Sequence, residues 1–363
     1  MRRLALLPAL VVLALPGAAR GAACSPLSCS PSQFVLAHGT LLGVRSAPDK
    51  PLRVIDLRTG RTKWWLPAGI VTGDTLVHQD GSLLTWLNAA RGTRVADAML
   101  QQHGSFTLVG TSQDAARAVL ARTQSRSTTF AIVSPHAQRI VKLGGKNWQF
   151  DALNGRYLFL IEDLHDGYKV RLYDLATNTL QPQGLKDPNE SALIQGFPFE
   201  RASSPNGRYL FTLYIGGNGN AMVHELDTAA GRAYCVDLPG DGDFNAAITW
   251  AIVPSRDGST LWAVSVGYAR VVAIDVAAHA AHEHAGVFNR PTWTANAGVA
   301  ALAPDGKRLV VTDAEHTWLV SLRTFQVRRG PNHTAIALAF STDGRRVWGV
   351  GQRSRIFFLR VDR

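Results

Sequence analysis

The densest set of side chains able to do chemistry is His279-Ala-Ala-His282-Glu283-His284. Clustered imidazoles and a carboxylate could offer three or four ligands to zinc or another transition metal. On a strand, successive side chains leave opposite faces, so His282 and His284 would share a face that Glu283 leaves. The competing expectation is an outer strand or loop after Ile274-Asp275-Val276 that holds no metal. Asp241-Gly-Asp243-Phe-Asn245 has the spacing of the first three oxygen ligands of a calcium loop. Ala246 stands where such a loop needs Gly, and Ile252 where it needs Glu, which excludes an EF-hand. A looser calcium site or a solvated loop is left. Beyond such an ion, no cofactor is expected.

Arginine is the third feature. Residues 323–363 hold Arg323, Arg328, Arg329, Arg345, Arg346, Arg353, Arg355, Arg360 and Arg363, opposed by Asp343 and Asp362 alone. Arg328, Arg329, Arg345 and Arg346 fall at loop or turn positions and, with Arg353 and Arg355, could face an anionic envelope polymer, lipid headgroups or an acidic partner. The plainer expectation is a solvated edge with no ligand. Nine tryptophans (Trp64, Trp65, Trp86, Trp148, Trp250, Trp262, Trp293, Trp318 and Trp348) are read chiefly as space-fillers between sheets, with an aromatic binding platform as the alternative.

Three cysteines remain. Cys24 and Cys29 could close a small disulfide loop in an oxidising compartment, or lie unbridged in a frayed tail. Cys235 in Ala-Tyr-Cys-Val reads as a core thiol. There is no C-x-x-C pair, no G-x-S-x-G elbow, no phosphate-binding loop of the Walker type and no dinucleotide fingerprint. A local catalytic motif is therefore missing, and an enzyme becomes the second reading.

The N-terminus bears on compartment. Arg2 and Arg3 precede an apolar stretch from Leu4 to Leu15, then small residues up to Ala23. Residues 1–23 are expected to be a secretory signal peptide, too short to span a bilayer, with cleavage after Ala19, Gly21 or Ala23. Cys24 raises a lipid anchor, but Gly21 replaces the aliphatic residue such a site uses, so an unanchored, secreted or envelope protein is preferred. Nucleic acid is then not an expected partner. No later stretch is long and apolar enough to cross a bilayer as a helix. With 46% hydrophobic and 18% charged residues in 363, the rest of the chain can bury a sizeable core.

What must position these residues is a repeated unit. Turn pairs recur at His38-Gly39, Asp80-Gly81, Asp114-Ala115, Asn154-Gly155, Asn206-Gly207, Asp257-Gly258, Asp305-Gly306 and Asp343-Gly344. Short apolar runs follow them, and Asn-Gly or Asp-Gly between such runs predicts tight hairpins. A second marker trails the first: an Asp ending a strand with Gly or Asn four residues on, as in Asp56 and Gly60, Asp174 and Asn178, Asp227 and Gly231. Four short strands per ~40–50 residues is the period of a β-propeller blade.

The runs Ser203-Ser-Pro-Asn-Gly-Arg-Tyr-Leu-Phe, Ala303-Pro-Asp-Gly-Lys-Arg-Leu-Val and Ser341-Thr-Asp-Gly-Arg-Arg-Val-Trp resemble the S-P-D-G-x-x-L of bacterial WD-repeat-like and YVTN-type propellers. Ile55-Asp-Leu-Arg-Thr-Gly-Arg-Thr-Lys-Trp64 is similar to quinoprotein-type repeats. The resemblance implies an all-β fold, one propeller over residues 33–363 with seven or eight four-stranded blades, of which the unit at residues 70–99 is expected to be short. Residues 24–32 would supply the last blade's fourth strand, so that N- and C-terminal segments pair and close the ring. It also implies that any active site would be scattered over central loops, as in lactonase-like and quinoprotein-type propellers. The expected function is a secreted, monomeric binding or scaffold module that recognises a ligand or protein on one face of the disc. The alternative is an extracytoplasmic hydrolase, or a metal- or quinone-dependent oxidoreductase, acting at the central channel.

Overall fold

The computed structural model describes residues 34–35, 41–45, 49–145, 147–187, 191–288, 298–312, 316–330, 335, 337–351 and 356–361. They form eight antiparallel sheets in strict chain order, seven with four strands and the last with three. Blade 1 spans residues 34–66, blade 2 70–99, blade 3 107–144 and blade 4 148–180. Blade 5 spans 197–238, blade 6 250–284, blade 7 299–329 and blade 8 337–360. Each is a meander, and in blades 2 to 8 the first strand lies beside the first strand of a neighbour, which puts these strands around the axis and the fourth outside. The count is eight. The unit at residues 70–99 is short, as expected, yet it holds all four strands of a blade.

Alternation in the strands makes both faces of every blade apolar, and each face is used. Eight hydrophobic clusters sit in the eight gaps between neighbouring blades. Leu42, Val44, Ile55 and Leu57 of blade 1 pack on Ala337, Ala339, Trp348 and Val350 of blade 8, so packing closes the ring. The fourth strand expected from residues 24–32 lies outside the described residues, as do the signal peptide, Cys24 and Cys29. Close approach is tight at one inner position: a Cβ on Gly110 of blade 3 would lie 1.9 Å from Phe150 Cε1 of blade 4.

The turns repeat: Asn154-Gly155 and Asp80-Gly81 lie at two-residue hairpins that pair Asn154 with Tyr157 and Asp80 with Leu83, while the pairs of blades 5 to 8 sit in a longer loop. In blade 5, Gly207 N–H donates to Ser204 O at 2.8 Å and Ser204 N–H to Tyr209 O at 2.9 Å. The loop is a longer turn with one left-handed residue, Gly207 at φ 69°, and blades 6, 7 and 8 repeat it. The Ser204 hydroxyl donates to Asn206 Oδ1 and accepts from Tyr209 N–H; Ser255 with Asp257 and Ser341 with Asp343 do the same. Asp80-Gly81 is the exception, turning between the second and third strands of blade 2.

Candidate functional site

Because strands alternate in direction, first-to-second and third-to-fourth turns emerge on one face of the disc, the turn face. Second-to-third hairpins and the connections between blades emerge on the other, the loop face. The two differ in kind. Turns on the turn face are short and internally hydrogen-bonded, while the connections 181–196 and 239–249 on the loop face are long. Residues 181–187 and 191–196 fold back over blade 4, held by the bridges Tyr168 to Ile194 and Val170 to Leu185. Between this arm and the His165-Asp166 hairpin lies a groove of about 730 Å³ lined by His165, Asp166, Lys169, Arg171, Lys186 and Ser191 among others. Arg171 is nearly buried, paired with Glu162, and donates to Gln181 O at 2.8 Å, which ties the arm to the sheet. Lys169 and Lys186 make no ion pair among the described residues and give the groove a cationic rim.

Beneath that face, charged groups are buried on both sides of blade 5. Toward blade 4, Arg201 on the innermost strand pairs with Asp151, the two side chains only 2% and 6% exposed. Arg201, Thr212 and His224 are direct cross-strand partners, so they share one face. Tyr214 stands edge-on to His224 and its ring lies 5.4 Å from that of Tyr168. Burial holds the His224 imidazole down to about 4, so it is neutral at pH 7. Arg201 Nε and Nη1 and His224 Nε2 are buried without a protein partner. Toward blade 6, Glu200 accepts from Ile252 N–H at 2.7 Å, and burial lifts its carboxyl to about 8. Glu225, fully buried, accepts from or shares a proton with His279 Nδ1 at 2.7 Å and is lifted by burial to about 7. Carboxyls held this high retain a proton near neutrality, which is acid–base capacity between blades 5 and 6.

The four metal candidates are brought onto one blade but aimed at four different places. His279 (φ 53°) occupies the left-handed turn position that Gly60, Asn178 and Gly231 fill in other blades. It bonds Glu225 and stacks on Tyr234 of blade 5. His284 stacks on Phe325 of blade 7, Glu283 pairs with Arg270 at 3.1 Å, and His282 is exposed on the outer strand. Asp243 caps the short helix Phe244–Ala247, accepting from Asn245 and Ala246 N–H, while Asp241 is exposed. Among the described residues, no group of three His, Cys, Asp or Glu is arranged to hold a metal.

Arg328 and Arg329 lie on the outer strand of blade 7, and Arg345 and Arg346 at the turn of blade 8, all four exposed. Arg353 and Arg355 fall outside the described residues, as does Trp293. Trp86, Trp148, Trp250 and Trp348 are buried between blades and Trp65 is exposed. Cys235 is a half-buried thiol opposite His224, on the outer strand rather than in the core. The blade 5 groups escaped sequence reasoning because Asp151, Arg201 and His224 are far apart in the chain. The available signal was polar His224-Glu225 inside the apolar strand Ala221–Asp227.

No protein-family model and no curated protein matches the chain. Solved structures do. The chain is similar to apo AztD from Citrobacter koseri at 12% identity and a TM-score of 0.55, over 91% of this chain and 89% of that one. It is similar to the dihydro-heme d1 dehydrogenase NirN, solved in complex with DHE, at 13% identity and 0.52, over 84% of this chain and 66% of that one. The β-propeller domain of Cps50 (Swd1) from Myceliophteria thermophila gives 12% and 0.51, over 92% and 98%. Likeness at this identity shows the propeller fold alone.

Proposed function

We propose that the protein is an exported binding or scaffold module that recognises a ligand or protein on the loop face of its disc. One observation carries the reading: the groove under the 181–196 arm, large enough for a ligand, rimmed by Lys169 and Lys186 and floored by a fixed Arg171. Among the described residues the turn face has no comparable arm. The test is capture of partners from envelope material by the wild-type protein and by a His165→Ala, Lys169→Ala, Lys186→Ala variant. Loss of a partner with the fold intact by circular dichroism is expected. An unchanged set of captured partners overturns the reading. Export is tested separately by fractionation and N-terminal sequencing, which should find a chain beginning after Ala19, Gly21 or Ala23.

A second reading, an extracytoplasmic enzyme acting at the central channel, is favoured by Glu200, an inner-strand carboxyl lifted to about 8. It requires turnover of an ester or lactone, or of a redox substrate, that Glu200→Gln abolishes. A panel of such substrates left unconverted by the wild type removes it.

A further inference from the structure

Between blades 3 and 4, on the turn face and so opposite the groove, lies a second cavity of about 370 Å³. Three arginines line it, and each is held by the frame rather than free to swing. Arg117 Nη1 donates to Gly155 O at 2.9 Å. Arg139 Nη2 donates to Leu175 O and to Asn178 Oδ1, the latter at 2.6 Å. Arg156 forks onto Asp174, its Nε 2.6 Å from Oδ1. Two of these anchors are backbone carbonyls of the neighbouring blade, which fix a guanidinium without neutralising it. The floor is apolar, formed by Ile132 and Leu175, both 4% exposed, with Ala137 at the rim. Ser134 and Gln138 complete the wall, and no carboxylate lines the cavity. The nearest acids are committed: Asp174 to Arg156, and Asp114 to Ser112 and Ala116 N–H within its own turn.

Three guanidinium groups converging from two blades, with one paired acid behind them, leave a surplus of about two positive charges. A planar fork matches the oxygens of a phosphate or carboxylate, and pre-fixed donors lose little entropy on binding. An apolar floor of this size takes a ring or short hydrocarbon. We infer that this cavity is a binding site for a small organic dianion, a phosphate monoester by charge match, whose apolar part rests on Ile132 and Leu175. The site is independent of the loop-face reading and stands if that reading fails.

The probe is phenyl phosphate, titrated calorimetrically into the full protein, with inorganic phosphate as the arm that lacks the ring. Phenyl phosphate should bind below ~1 mM and inorganic phosphate more weakly. Arg117→Gln and Arg139→Gln should each weaken phenyl phosphate by ~10-fold or more. Arg208→Gln is the control: Arg208 pairs with Asp227 in blade 5 as Arg156 pairs with Asp174, but lies outside the cavity, so it should change nothing. Ala137→Phe fills the rim without touching an arginine and should abolish binding while the melting temperature is kept. Absence of binding at 10-fold above that limit, or an affinity unaltered in the Arg117, Arg139 and Ala137 variants, overturns the proposal.

Discussion

Arg201 and Glu200 are adjacent in the chain, yet they face different neighbours and obey different rules. Arg201 is buried with its charge matched by Asp151, so removing one partner strands the other in a medium that solvates it poorly. Arg201→Met should therefore destabilise the fold by about 3–5 kcal/mol in urea unfolding, and adding Asp151→Leu should recover most of the loss. Glu200 has no cation beside it, only Ile252 N–H, so burial raises its carboxyl from 4.5 to about 8. The folded state then holds the proton more tightly than the unfolded chain. Its contribution is complete below about pH 4.5 and is lost as pH rises through 8; Glu225, lifted to about 7, adds to the same trend. His224, lowered to about 4, opposes it by losing stability as pH falls below 6.5. Glu200→Gln should flatten the neutral-to-alkaline limb in melting curves measured from pH 5 to 9. An unchanged limb would remove Glu200 as its source. Only the polar His224-Glu225 pair inside an apolar strand was legible beforehand, because a strand position reports burial by alternation and not which distant side chain meets it.

At the scale of elements, the turn markers were legible and their geometry was only partly so. Asp-Gly pairs located the first-to-second turns of blades 6, 7 and 8, since a left-handed residue is needed there whatever the rest of the loop does. They could not tell a two-residue hairpin from the longer turn, whose serine contacts lie five residues apart. The repeat also explains His279. Sequence spacing offered it as a ligand, while its place four residues after Asp275 made it the turn residue of blade 6. Blade spacing itself is set by small residues on inner strands. Gly110→Ala puts a methyl group where Phe150 already stands, and should cost about 1–3 kcal/mol, read as a lower midpoint in chemical denaturation with the slope unchanged.

For the whole molecule, the period in the sequence left seven or eight units open, and the described residues form eight sheets. Charge is less evenly shared than fold. In blades 4 and 5 the arginine just before the second strand meets an Asp closing the third, Arg156 with Asp174 and Arg208 with Asp227. In blade 8 Arg360 stands where those aspartates stand, with Arg345 at the place of Arg208 and Arg346 directly across from Arg360, so like charges face each other. We therefore keep the anionic-surface proposal for this edge. Charge reversal at Arg328, Arg329, Arg345 and Arg346 should weaken adsorption to an anionic polymer, as should added salt; adsorption indifferent to both would end it. The eight apolar clusters carry a different consequence. Every one belongs to two blades at once, so no blade owns a core and the repeating unit of the sequence is not a unit that can stand alone. A fragment of four blades would bare an oily flank at each cut and should aggregate. A chain rejoined across its ends by a flexible linker and reopened within 181–196 keeps every flank covered, and should still fold: the ring has a genetic beginning but no mechanical one.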